Sequence, residues 1–355
     1  MDNTDFLNTL SNYRNLLWPI VEKKIEEVNN FPDYCHLDKK YQKELDFHLK
    51  IVSDYPQRKG KYLRPSLLLL TAEGMGVKKD KALITAAAMQ ISEDWILNHD
   101  DIEDDSESRR GQRALHKIYG NELALNAGDA LHVIMWRVLF DNFSILDKSL
   151  AMKIVEEFYT MLSRTILGQG IELKWTRDNR YNLSEKDNLL ILESKTGYYT
   201  IAGPMRLGAI IAGASEKQLE QIYRFGVLLG RSFQIVDDLL DLTSDFSGQK
   251  KKGNDVYENK RTLMLLHLIK KSSEIDKNLI RKILNKKRSE KTEEDVDIVV
   301  KLMKKYGSLE YGKKMADKYA SEAKNIFEKE LNFIKVEPYR SRIKTGIDFI
   351  VNRDH

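Results

Sequence analysis

Six prolines in a chain of 355 residues leave long stretches where nothing interrupts a helix, and this limits the fold more than any other feature. Within those stretches apolar residues recur at intervals of three and four. Leu10, Tyr13, Leu17 and Ile20 form one such series, and Ile154, Phe158, Met161 and Leu162 another. That spacing lines one face of a helix. Val, Ile and Thr do not gather into the short bounded runs that strands require. The expectation is an all-α protein of about ten or more helices joined by short polar turns. Breaks are expected at Asn30–Pro32, Gly60, Gly74–Lys79, Asp104–Arg113, Arg177–Ser184, Thr243–Asn254 and Ser289–Thr292.

No composition shift, fixed-period repeat or low-complexity tract marks a second domain, so residues 1–355 read as a single domain. Hydrophobic residues (42%) suffice for a core, and the high charged fraction (32%) suits helices with solvated faces. The net charge of +4, from 58 Lys plus Arg against 54 Asp plus Glu, gives no reason to expect nucleic acid as a partner. The single cysteine, Cys35, excludes an intramolecular disulfide and a Cys-rich zinc site, and a cytoplasmic location fits. The acidic first ten residues do not read as a signal peptide. The longest weakly charged run, Ile201–Ser215, contains Arg206 and several glycines, and it falls short of the roughly 20 apolar residues of a membrane span.

Two acidic segments carry the chemistry. In Asn98–Asp105, Asp100 and Asp104 are four apart and stand on one helix face, with Asp101 beside them. Carboxylates so placed repel one another unless cations share the site or water surrounds it. The segment Phe233–Asp241 repeats the spacing with Asp237, Asp238 and Asp241, this time inside an apolar helix, where unpaired acids are costly. Oxygen-only ligands point to Mg²⁺, which takes one or two carboxylates and completes its shell with water and substrate phosphate. Basic residues suited to such an anion lie nearby in sequence: Lys61 and Arg64, Arg109 and Arg110, Lys195, and Lys260 with Arg261.

In this order the motifs resemble those of the trans-isoprenyl diphosphate synthases. They are GKYLRP from Gly60, HDDIEDD from His99, RRG from Arg109 and HKIYGNELALNAGDAL from His116. GQGIEL from Gly168, KTG from Lys195, FQIVDDLLD from Phe233 and GNDVYENKRT from Gly253 follow. The resemblance implies an antiparallel helical bundle around a deep central cavity, usually in a homodimer. It implies an enzyme that condenses an allylic diphosphate with isopentenyl diphosphate using Mg²⁺, about three ions per active site. On this basis Asp100, Asp101, Asp104, Asp237, Asp238 and Asp241 are the metal ligands. Arg109, Lys195 and Lys260 contact the allylic diphosphate, while Lys61, Arg64 and Arg110 hold isopentenyl diphosphate. Thr196 and Gln234 steady the developing cation, with Gln169 nearby.

The chain departs from the family pattern at Glu93, where the family has His or Gln for isopentenyl diphosphate. An acid there repels a diphosphate unless it is protonated or paired with Lys61 or Arg64. Glu172 and Asn259 are milder departures, and Gln249–Lys252 blurs a glycine–lysine pattern. Trp95, with Ile96 beside it and the smaller Ser92 and Ala88 one and two turns earlier on the helix, reads as a floor under the growing chain. A floor there favours farnesyl or geranylgeranyl products over long chains, and the resemblance implies geranylgeranyl first and farnesyl next. The other reading of Trp95 is a core tryptophan. Two further functions stay open from sequence: a class I terpene cyclase, and a non-catalytic regulatory subunit of a prenyl synthase.

Overall fold

The structure is a computed structural model that describes residues 3–27, 38–243 and 253–351. It is all-α, with one small hairpin. The helices are α1 (Asn3–Glu26), α2 (Gln42–Gln57), α3 (Leu63–Gly74), α4 (Leu83–Glu103), α5 (Leu115–Tyr119), α6 (Asn121–Phe140) and α7 (Asn142–Ile145). They continue with α8 (Lys148–Arg177), α9 (Glu185–Ile191), α10 (Gly203–Ile211), α11 (Glu216–Thr243) and α12 (Asn254–Tyr257). The last are α13 (Leu263–Lys271), α14 (Glu274–Leu284), α15 (Glu293–Lys305), α16 (Ser308–Glu330) and α17 (Tyr339–Val351). Strands β1 (Ser108–Arg109) and β2 (Gln112–Arg113) pair antiparallel between α4 and α5. Cys35, the expected break at Asn30–Pro32 and the Gln249–Lys252 run lie outside the described residues.

The chain divides into two compact units. The first comprises Met1–Glu157, Pro204–Ala214 and Ile334–Thr345; the second comprises Phe158–Gly203, Ser215–Phe333 and Gly346–His355.

In the first unit α4 packs on α6. The α4 residues Ala86, Ala87, Ala88, Met89 and Ile91 and the α6 residues Leu131, Ile134, Met135, Val138 and Leu139 are buried. The α6 positions follow the three-and-four spacing, and each fully buried aliphatic side chain contributes about 1.5–3 kcal/mol. The stretch Asn121–Ile145 is long and apolar enough to cross a membrane, but its inward stripe belongs to this core. Its outward side leaves Leu125, Val133 and Phe140 about half exposed. The Tyr13 hydroxyl donates to Glu73 Oε2 at 2.5 Å and ties α1 to α3.

In the second unit α11 is the central element. It buries Leu219, Ile222, Phe225, Leu229, Ile235 and Leu242, and packs against Ala316, Ala320, Ala323 and Phe327 of α16. A capping box, Ser184 with Asp187, starts α9, and another, Thr292 with Asp295, starts α15. Between α9 and α10 the chain forms a π-helix, Leu192–Ala202, which apolar periodicity does not reveal. Glu193 anchors its first turn by accepting from Arg164 at 3.3 Å, from Arg231 at 3.1 Å and from the Tyr223 hydroxyl.

Candidate active site

The first acidic segment occupies the last turn of α4. Acids there face the negative end of the helix dipole, which disfavours them, so their presence needs a compensating cation. The helix stops in a Schellman arrangement. Asp105 takes a left-handed φ of 51°, its N–H donates to Ile102 O at 3.3 Å, and Ser106 N–H donates to Asp101 O at 2.9 Å. Just beyond lies the β1–β2 hairpin, whose turn residues Arg110 (φ 52°) and Gly111 (φ 77°) both have positive φ, the pattern of a type I′ turn. A left-handed arginine costs about 1–2 kcal/mol, which side-chain anchoring must offset.

The hairpin returns Arg109 to α4. Its Nε donates to Asp101 Oδ2 at 2.9 Å and Oδ1 at 3.1 Å, and its Nη2 pairs with Oδ1 as well. The Tyr55 hydroxyl donates to Asp101 Oδ2 at 2.6 Å and accepts from Leu115 N–H at 3.1 Å. Burial, and after it the Asp101 charge, pushes the Tyr55 phenol up. Arg58 Nη1 donates to Arg109 O at 3.0 Å, fixing the hairpin backbone. Asp101, expected as a metal ligand, is therefore fully buried with both oxygens engaged by Arg109 and Tyr55. Asp100 stands apart, with its side chain 27% exposed and Arg109 Nη2 at 3.7 Å. Asp104, the C-cap, is also partly exposed.

Two helical turns earlier, Glu93 and Asp94 hold the other arginines. Arg64 Nη1 lies 3.3 Å from Glu93 Oε2, so the departure at Glu93 is paired with Arg64, one of the two partners expected for it. Arg110 Nη1 lies 2.8 Å from Asp94 Oδ1 and donates to Tyr55 O at 2.7 Å. Lys61 is exposed just before α3. Asp94 escaped the sequence reading, although an acid pair inside an apolar helix is a signal. Burial, opposed by Arg110 and reinforced by Glu93, pushes its carboxyl up to about 6. Trp95 is buried and stacks on His132 of α6, centroids 4.0 Å apart at 17°, while Ser92 is fully buried and donates to Met89 O at 2.7 Å. Ile96 beside it is partly exposed.

In the second unit, Thr196 Oγ1 on the π-helix donates to Gln234 Oε1 at 2.7 Å, and Gln234 Nε2 donates to Asp238 Oδ1 at 2.8 Å. Lys195 Nζ pairs with Glu172 at 2.6 Å, which gives the departure at Glu172 a partner. Gln169 lies one turn earlier on the same helix, α8. Lys260 Nζ lies 2.7 Å from Glu258 Oε2 and 3.6 Å from Asp255 Oδ1. Asp237 is exposed and Asp238 buried. Asp241, expected as a ligand, accepts from the backbone N–H groups of Asn254 at 3.2 Å and Asp255 at 3.0 Å, and so fixes the start of α12. Burial, and beyond it the charges of Asp237 and Glu172, push Asp238 up to about 7 against the pull of Gln234 and Lys260. Burial, with Asp238 and Asp241, raises Asp255 well above the carboxylate range against the pull of Lys260. Asp255 lies within GNDVYENKRT, yet its partial burial depends on tertiary packing that the motif does not display.

This cluster of the second unit holds more carboxylates than cations, all of them oxygen donors, which fits a hard divalent ion such as Mg²⁺. Among the described residues no group of three or more His, Cys, Asp or Glu side chains forms a ready-made metal cage. An ion held by one or two carboxylates and substrate phosphate needs no such cage.

The polyprenyl synthetase family model matches residues 47–303 of the chain. The geranylgeranyl diphosphate synthase of Sulfolobus acidocaldarius is 31% identical over 268 residues, 74% of this chain and 78% of that protein. The crystal structure of geranylgeranyl pyrophosphate synthetase from Pyrococcus horikoshii Ot3 superposes with a TM-score of 0.84 at 25% identity, covering 99% of each chain. That of polyprenyl synthase from Caulobacter crescentus CB15, complexed with calcium and isoprenyl diphosphate, gives 0.79 at 25% identity over 98% of each.

Proposed function

This chain belongs to the polyprenyl synthetase family of prenyltransferases, and we propose that it joins an allylic diphosphate head to tail with isopentenyl diphosphate to make a short-chain prenyl diphosphate, geranylgeranyl first and farnesyl next. The observation that carries this reading is the division of labour at the end of α4, where Asp101 fixes Arg109 while Asp100 and Asp104 keep accessible oxygens. We assign Asp100 and Asp104 to Mg²⁺ on one acidic segment and Asp237 and Asp238 on the other, with Asp101 and Asp241 as positioning groups. About three ions per site suit this donor set. When bound, Mg²⁺ supplies neutralisation of the diphosphate charge that develops as the C–O bond breaks.

The chain's own residues do the rest. Arg109, Lys195 and Lys260 bind the allylic diphosphate and stabilise it as a leaving group. Thr196 and Gln234 present oxygens to the allylic carbocation. Lys61, Arg64 and Arg110 hold isopentenyl diphosphate while its double bond attacks that cation. The proton lost from the adduct passes to the released diphosphate. We place the enzyme in the cytoplasm as a homodimer, with the half-exposed Leu125, Val133 and Phe140 of α6 as the apolar face for a second copy.

The test is incubation with Mg²⁺, isopentenyl diphosphate and allylic primers, followed by product identification. Elongation in five-carbon steps, abolished by chelation, is expected. A cyclic hydrocarbon or no product overturns the reading, and so does a wild-type rate from Asp100→Ala.

A further inference from the structure

Arg64 and Arg110 are not presented to an incoming anion as bare cations. Glu93 spans them with one oxygen each: Oε2 lies 3.3 Å from Arg64 Nη1 and Oε1 lies 3.6 Å from Arg110 Nη2. A single carboxylate shared between two guanidinium groups occupies the position a diphosphate bridging both would take. The two acids beside Arg110 are not equivalent. Asp94 holds it at 2.8 Å, and the Tyr55 carbonyl accepts from the same nitrogen at 2.7 Å, so Arg110 stays fixed whether or not Glu93 is engaged. The Glu93 contacts are the long ones. Gly60 belongs to the same arrangement, since a β-carbon there would come within 2.8 Å of Arg110 Nη2. The backbone of the GKYLRP motif thus lies directly against the guanidinium that Glu93 shares.

We propose that Glu93 is a built-in counter-anion of the isopentenyl diphosphate site, competing with that substrate for Arg64 and Arg110 and thereby setting the affinity for it. This rests on the reading that Arg64 and Arg110 hold isopentenyl diphosphate. Glu93 is buried, with 8% of its surface exposed, so a diphosphate arriving at the arginines either displaces the carboxylate or lies against it as a like charge. Both outcomes weaken binding. An anion carrying several charges can take both guanidinium groups from Glu93, and a singly charged one gains too little, so the device also discriminates between them.

The experiment is steady-state kinetics of Glu93→Gln at saturating allylic substrate. The amide keeps the side-chain shape and can accept from Arg64 while removing the charge. The KM for isopentenyl diphosphate is expected to fall about tenfold, equivalent to about 1.4 kcal/mol, while the KM for the allylic substrate stays put. Inhibition by inorganic pyrophosphate competitive with isopentenyl diphosphate tightens by a similar factor. Glu93→His serves as the second variant should the glutamine protein fold poorly, with the same direction expected. An unchanged or higher KM for isopentenyl diphosphate in both variants overturns the proposal. Arg64→Ala separates this from failure of the underlying reading. If its KM for isopentenyl diphosphate rises while the Glu93 variants show no gain, the counter-anion role alone is wrong. If Arg64→Ala leaves that KM unchanged, the assignment of the arginines is wrong and the proposal goes with it.

Discussion

The Tyr55 hydroxyl meets Asp101 Oδ2 at 2.6 Å across 46 positions of sequence, and with Arg109 it engages a carboxylate that the family resemblance assigns to metal. The neighbouring aspartates should therefore fail differently when changed. Asp100→Asn keeps its fold and melting temperature but loses a hundredfold or more in turnover, in the range of a lost electrostatic group at a reacting centre. Asp101→Asn loses activity and also about 3 kcal/mol of stability, because the half-buried Arg109 loses its paired carboxylate and keeps only the more distant Asp100. Tyr55→Phe loses about 1–3 kcal/mol by stranding one acceptor on Asp101 and the Leu115 N–H. Urea unfolding alongside turnover separates the three; equal stability losses in Asp100→Asn and Asp101→Asn would contradict the division of labour.

Thr196→Val tests the chain of contacts from the π-helix to α11. Valine matches threonine in shape but removes the donor to Gln234 Oε1, so nothing on that side holds the amide that reaches Asp238. Turnover is expected to fall roughly 10–100-fold, with a stability loss of about 1 kcal/mol. Single-turnover kinetics reads the chemical step directly, and an unchanged rate there would remove Thr196 from the reaction centre.

What the sequence discloses and what it hides follows the range of the interactions. The paired aspartates of α4 and α11 are legible because one helical turn sets their spacing. The all-α architecture is legible because proline is scarce and apolar residues recur at helical intervals. The contacts of Asp101 and Asp241 are hidden, since Tyr55 and the backbone of Asn254 and Asp255 reach them from other elements. The π-helix is hidden for a related reason. Its register is anchored by Glu193 through Arg164 on α8 and Tyr223 and Arg231 on α11, none of them local. Glu93 was visible as a departure, but its sharing between Arg64 and Arg110 needed the hairpin that carries Arg110.

Asp94 gives a pH signature. Its folded carboxyl sits at about 6, above the ordinary 3.8, so between those values the folded protein holds a proton that the unfolded chain has released. Its stabilising contribution is complete below about pH 3.8 and is lost as pH rises to about 6. The span corresponds to about 3 kcal/mol. Gln90, Glu93, Arg110 and the Tyr62 hydroxyl surround it, so replacing only Asp94 isolates its share. The stability of wild type minus that of Asp94→Asn, measured by chemical unfolding from pH 4 to 7, should decline across this window. A flat difference would show that Arg110 holds the carboxylate charged throughout.

Trp95 is the last residue whose two readings an experiment can separate. Its ring stacks on His132, and the Trp136 indole N–H donates to His132 Nε2 at 2.8 Å, so α6 backs the tryptophan with an imidazole whose orientation is fixed. Burial lowers the His132 pKa, which favours the neutral ring whose nitrogen accepts from the Trp136 indole. The tryptophan stands just over one turn before Asp100, on the helix along which a growing chain would extend. Trp95→Ala should cost about 3–5 kcal/mol, the usual penalty for emptying a buried tryptophan site. As a floor it should also let products grow by one or more five-carbon units, and His132→Ala should shift them the same way, because the stack loses its backing. Chromatography of dephosphorylated products from both variants reads this directly. Lower stability with an unchanged product distribution would leave Trp95 as core packing alone and place the limit on chain length elsewhere.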